Sequence, residues 1–230
     1  NEFSGEYPEN PPFSYQDLEE IYPVASQACK DSEDRLEQAR TATAKLQDGH
    51  KGYMALWRHF LALSKVHIMD NIAPMGVAFE IWKGESDVNH LIPEIADDLK
   101  KKGILVESDG AQIIDVTRDD DKKELPPLIF FKSNGAVTYG TTDLGTIYDR
   151  IKTYGTIHHM IYVVDKRQNL HFQQVFRASE KAGYTDNGLQ LTHIGFGTLN
   201  GEDGKPFKTR SGGIPRFDTL LSDAITKARS

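Results

Sequence analysis

The chain of 230 residues has a single cysteine, Cys29. That excludes an intrachain disulfide and a zinc site built from thiolates, and it fits a reducing compartment. No stretch approaches the ~20 consecutive apolar residues that a membrane-spanning helix needs, so no membrane partner is expected. An excess of positive charge is also missing: 27 Lys and Arg against 34 Asp and Glu give a net charge of −7. Bulk attraction to nucleic acid is thereby excluded, and a polyanion could be held only by a local basic patch. The chain does not begin with Met, and Asn1-Glu2-Phe3 carries neither the basic nor the apolar region of a signal peptide, so its start is expected to be a cut end.

What is present divides by pattern. Residues 1–12 hold four prolines or glycines and are expected to be extended. Ser14 followed by Asp17 reads as a capping box that opens a helix, and Pro23 is expected to start a new one. Ala, Leu, Glu, Arg and Lys dominate from Asp31 to Gln47, with Asp48-Gly49 as a stop. A helical stripe from Tyr53 to Ile72 then completes a helical first third. Phe79-Glu80-Ile81-Trp82 alternates like a short strand, and Ser86 or Asp87 can cap a helix carrying Val88, Leu91, Ile92, Ile95 and Leu99. Asp109-Gly110, between Leu105-Val106 and Ile113-Ile114, signals a hairpin. Leu128 to Phe131 is the next strand and Asn134-Gly135 the next turn, which makes a small α+β block.

Beyond Gly135 the pattern becomes strand (Ala136–Tyr139), helix (from about Thr141), strand (Met160–Val164), helix (from about Gln168) and strand (Gly188–Ile194). The nearly all-apolar Met160–Val164 suits a parallel strand covered on both faces. Two βαβ units in succession are half of a doubly wound, nucleotide-binding sheet, in which ligands sit at the carboxyl ends of the strands. The fold class is therefore α/β, with segments 1–76 (helical), 77–135 (small α+β insert) and 136–230 (half of a nucleotide-binding domain).

At those strand ends stand Tyr139, Asp143 and Gln168. A phenol, a carboxylate and an amide around one crevice give a pocket with one fixed negative charge. That suits a planar cation, because a carboxylate accepts two parallel N–H bonds from a guanidinium. Taken alone, Asp143 reads first as a helix cap matched to the dipole, and only its combination with Tyr139 and Gln168 points to a cation. From Gly201 to Gly213, four glycines surround Lys205, Lys208 and Arg210. Such a loop is either a solvated connection or a mobile clamp for a triphosphate. His158, His159 and His171 do not make a metal site, since neighbours on a strand point to opposite faces.

Three motifs carry a resemblance: Tyr139-x-Thr-x-Asp143-Leu; Val164-Asp165-x-Arg167-Gln168-x-x-His171-Phe172; and His193-Ile194-Gly195-Phe196-Gly197 followed by Lys205-Pro-Phe-Lys208-Thr-Arg210-Ser-Gly. Together they resemble arginyl-tRNA synthetase. Residues 14–100, with Trp57-Arg58-His59-Phe60 and Phe79-Glu80-Ile81-Trp82-Lys83-Gly84-Glu85-Ser86, are similar to the bacterial branch of that family. The resemblance implies a class I, Rossmann-like sheet of which residues 136–230 are the second half. It implies ATP-dependent formation of arginyl-adenylate, with Mg²⁺ accompanying ATP, and transfer of arginine to its tRNA in the cytoplasm. By position, Tyr139, Asp143 and Gln168 would hold arginine. Lys205, Lys208 and Arg210 would stabilise the phosphates in a degenerate Lys-Met-Ser-Lys-Ser signature, and His193 and Gly195 would line the adenosine pocket beside Lys208. No metal ligand is expected.

The family's His-x-Gly-His signature is absent, and so are its N-terminal and C-terminal tRNA-binding domains. An internal fragment is therefore expected, inactive by itself and prone to self-association through an uncovered sheet edge. The alternative is a non-catalytic module derived from a synthetase, either binding arginine or purely structural.

Overall fold

The computed structural model describes residues 13–198, 200 and 217–229, without the side chains of Asp218 and Asp223. Lys205, Lys208 and Arg210 lie outside the described residues. The chain divides into two compact units, Asn1–Glu80 with Leu199–Ser230, and Ile81–Thr198.

The first unit is helical: α1 Tyr15–Asp31, α2 Glu33–Gln47, α3 Lys51–Ile72 and α7 Phe217–Arg229. The capping box is present, with the Ser14 N–H donating to the Asp17 carboxylate at 2.6 Å and the Asp17 N–H donating to Ser14 Oγ at 3.3 Å. Pro23 does not begin a helix as expected but lies inside α1. Residues on both sides keep helical pairing, so losing one N–H donor does not end the helix. Tyr15 stacks on His67 with ring centroids 3.7 Å apart, and Phe13 packs edge-on against His59. In α1, α2 and α3 only Gly52 is fully buried.

The core belongs to the second unit. A 3₁₀ turn, Glu85–Leu91, is capped by the Asp87 carboxylate, which accepts from the Gly84 N–H at 2.7 Å, and runs into α4 Ile92–Lys101. Antiparallel strands β1 Leu105–Ser108, β2 Ala111–Ile114 and β3 Leu128–Phe131 follow. Asp109 (φ 50°) and Gly110 (φ 75°) close the hairpin, since its two-residue turn needs both in the left-handed region. Helix α5, Tyr139–Tyr154, starts at the cap residue Thr138, whose hydroxyl donates to the Ile129 carbonyl at 2.5 Å. The Thr141 hydroxyl donates to the Phe130 carbonyl. These bonds fasten the first turn of α5 to β3, and Leu99, Ile114, Val116, Phe130, Leu144, Ile147 and Val175 fill the space behind them with no exposure.

Strand β4, His159–Asp165, pairs in parallel with β5, Gln190–Phe196, through a 3₁₀ turn at Lys166–Gln168 and α6, Asn169–Lys181. The class is mixed α/β as expected, but three expectations need correction. Ala136–Tyr139 is not a strand: Val137 makes one isolated bridge to Phe131, and the backbone turns at once into α5. A single βαβ unit therefore stands where two were expected. Phe79–Trp82 is not a strand, because an alternating pattern alone does not supply the neighbouring strand that completes a ladder. Among the described residues of the second unit, the parallel pair is covered on one face only. Met160 and Tyr162 pack toward α6, with Tyr162 against Phe172 and Phe176, whereas Ile161, Val163, Ile194 and Phe196 are each at least half exposed. Among the described residues, no helix is long and apolar enough to cross a membrane.

Candidate functional site

Helix α5 presents Asp143, Thr146, Arg150 and Tyr154 at intervals of three or four residues, which puts them on one face. They line a cavity of about 280 Å³ whose opposite wall is the segment Ile81 to Val88, with Tyr162 of β4 at one end. That volume lies just below the usual ligand-pocket range of ~300–1,000 Å³, on the scale of a free amino acid.

The charges lining the cavity do not cancel. Lys83 is matched by Asp149 at 2.5 Å. Arg150 donates to the Tyr162 hydroxyl at 3.2 Å, and its guanidinium lies 5.4 Å from the centre of that ring. Against Arg150 stand two carboxylates, Glu85 and Asp143. One negative charge is left over. Partial burial, and then repulsion from Asp143, push the Glu85 carboxyl above its ordinary value, while His171 pulls it back. Burial also pushes the Tyr162 phenol up to about 12, so it stays a neutral hydrogen-bonding group. Glu85 has no hydrogen-bond or ion-pair partner among the described residues.

Of the three side chains expected to converge, only Asp143 reaches this cavity. Tyr139 is the first residue of α5 and is 71% exposed, and Gln168 ends the turn before α6 and is exposed. Both sit at N-terminal ends of helices that pack against each other. Asp143 instead meets His171 of α6, whose Nε2 lies 2.6 Å from Asp143 Oδ2. His171 and Glu85 lie inside the motifs that carry the resemblance, but their positions in the sequence imply no site role. Their signal was weak, because His171 is 28 residues from Asp143 and the contact exists only once α5 and α6 pack.

His193 of β5 donates from Nε2 to the Val164 carbonyl at 3.2 Å and stacks on Phe172, centroids 4.9 Å apart. Gly195 lies against the start of the 3₁₀ turn: a Cβ there would be 2.9 Å from Lys166 Cα. Asp165, the last residue of β4, is clamped by its neighbour, accepting from the Arg167 N–H at 2.8 Å and from that guanidinium through both oxygens.

Comparison with known proteins gives a consistent result. The family described as tRNA synthetases class I (R), catalytic domain, matches residues 5–230. The chain is 49% identical over 222 residues to the arginine–tRNA ligase of Maricaulis maris, covering 96% of this chain and 37% of that protein. It is 46% identical over 219 residues to the enzyme of Alkaliphilus oremlandii, covering 95% and 37%. It therefore spans a little over a third of the length of these relatives. Among solved structures, arginyl-tRNA synthetase from Plasmodium falciparum aligns with a TM-score of 0.62 at 26% identity, over 80% of this chain and 32% of that one. The Thermus thermophilus arginyl-tRNA synthetase aligns with a TM-score of 0.58 at 20% identity, over 81% and 37%, which speaks for the fold alone.

Proposed function

The chain belongs to the class I (R) tRNA synthetase catalytic-domain family, and we propose that it is the arginine-selecting part of an arginine–tRNA ligase. The observation that carries the reading is the cavity beside α5, with one negative charge in excess and Asp143 on its wall. In this reading Asp143 pairs with the arginine guanidinium, while Tyr139 and Gln168 contribute from the neighbouring helix ends. His193 and Gly195 lie toward the adenosine, and Lys205, Lys208 and Arg210 meet the phosphates. The arginine carboxylate attacks the α-phosphorus of ATP, pyrophosphate leaves, and the 3′ end of the tRNA then takes the arginyl group. No side chain becomes covalently attached, so the protein's contribution is position and charge. Mg²⁺ belongs to the ATP substrate. Among the described residues, no three His, Cys, Asp or Glu side chains are grouped to hold an ion. The cytoplasm, where translation occurs, is the proposed location.

The test is ATP–pyrophosphate exchange by the protein at its native length. Arginine should support exchange and citrulline, its uncharged isostere, should not; equal exchange with both would remove the reading. The 230-residue chain alone is expected to give no exchange, and arginine-dependent exchange by it would show that the matched third suffices.

The uncovered face of the parallel pair bears on partners. Ile161, Val163, Ile194 and Phe196 lie side by side on it, and among the described residues β4 and β5 pair only with each other. The 230-residue chain alone should therefore self-associate, and Val163→Lys with Ile194→Lys should weaken that association. Sedimentation that finds a monomer at all concentrations would count against it.

A further inference from the structure

The Asp143 carboxylate faces two opposing influences. Glu85, on the 3₁₀ turn across the cavity, carries the same charge, and the Asp143 charge helps to push the Glu85 carboxyl above its ordinary value. Like charges across one cavity favour conformations that separate them, so a carboxylate meant for a cation there needs a partner that holds it in place. His171 supplies that hold with a hydrogen bond of 2.6 Å between side chains that are 25% and 26% exposed. The imidazole is itself held, edge-on against Phe172 with centroids 5.2 Å apart. Phe172 is almost fully buried, stacked on His193 and packed against Tyr162. An ionised carboxylate only accepts hydrogen bonds, so Nε2 carries the proton in this pair.

We propose that His171 is the positioning residue of the arginine site: its Nε2–H fixes one oxygen of Asp143 and leaves the other oxygen to the guanidinium. The inference rests on the reading of Asp143 as the arginine carboxylate. A histidine suits this role where a lysine or arginine would not. A permanent cation would orient Asp143 equally well, but it would cancel the charge that the ligand needs and compete with it for the same oxygens.

Three substitutions in the native-length protein separate this role from simple packing. His171→Gln retains a neutral N–H donor and should keep arginine affinity within ~3-fold of the parent. His171→Phe retains a ring against Phe172 but no donor, and should weaken arginine ~10-fold while leaving ATP affinity unchanged. His171→Lys should be worst, at ~100-fold, because it fills the site with its own cation. A merely structural His171 would make Lys no worse than Phe, and that outcome, or a Phe variant equal to the parent, overturns the proposal. If Asp143→Asn leaves arginine affinity unchanged, the underlying reading falls and the proposal with it; if Asp143→Asn abolishes binding while the His171 series is flat, the proposal alone falls. A measurement on the 230-residue chain needs no variant at His171: Asp143→Asn should shift the ¹⁵N signals of the His171 ring, and unchanged signals would mean that the pair does not form.

Discussion

Asp143→Ala in the native-length protein is expected to weaken arginine by at least ~100-fold and to leave ATP within ~3-fold. The size follows from the charges around the cavity. With Lys83 held by Asp149, the parent has Glu85 and Asp143 against Arg150, and the substitution reduces this to one carboxylate against one guanidinium. A cationic ligand then enters a site with no net attraction, and the carboxylate oxygen that accepted from its guanidinium is gone. His171 loses its acceptor at the same time. A variant that binds arginine as the parent does would end the assignment of Asp143.

The same substitution has a consequence that needs no ligand. Glu85 is raised first by burial and second by the Asp143 charge, so removing that charge should bring its titration partway back toward the ordinary carboxyl value. A carboxyl raised in the folded state favours folding when protonated, and that contribution is lost as the pH rises through the folded pKa. The loss should be smaller in Asp143→Ala, so the variant compares best with its parent near neutrality and worst in acid. Carbon-detected titration of Glu85 in the 230-residue chain checks the shift, and an unmoved midpoint would mean that the two carboxylates do not sense one another.

Local chemistry was the legible part of the fold. Ser14 with Asp17, Asp109-Gly110, and the stretch from Val88 to Leu99 each carry their own stop or cap, and the structure forms an element at each. What could not be read depended on partners distant in sequence. Whether Phe79–Trp82 or Ala136–Tyr139 becomes a strand is decided by whether a neighbouring strand is there to accept its hydrogen bonds, and the pattern of the segment cannot supply that neighbour. Pro23 departs from its expected place at a helix start for a related reason: a missing donor costs one bond, while the turns before and after it retain theirs. At the site, Asp143 is legible because it falls at an expected strand-to-helix junction together with Tyr139 and Gln168, not because a carboxylate near a helix start is unusual. Its pairing with His171 and its repulsion from Glu85 arise from packing three separate elements, so the residue types alone could not order them.

Gly195→Val is expected to destabilise the 230-residue chain by ~3 kcal/mol, with Gly195→Ala costing ~1–3 kcal/mol. Backbone conformation is not the cause, since Gly195 is not among the glycines with positive φ. The cause is proximity: a Cβ would meet Lys166 at 2.9 Å from Cα and 3.0 Å from Cβ. A Cα cannot move aside as the end of a long side chain can, so the turn from Lys166 to Gln168 must shift as a whole. That turn follows the register Val164 to Gly195 and Asp165 to Phe196, and it sets the start of α6. The first strain is therefore felt between the two parallel strands, and the second by the helix that carries His171 to Asp143. An adenosine-lining role for Gly195 would show itself only in ATP affinity, whereas close packing predicts lost stability with no ligand present. Gly197→Ala is the matched control, because nothing lies within 4 Å of a Cβ built there, and it should change stability by less than ~0.5 kcal/mol. Urea unfolding of the three variants beside the parent decides the matter: if Gly195→Ala and Gly197→Ala unfold at the same midpoint, Lys166 does not hold Gly195 to glycine.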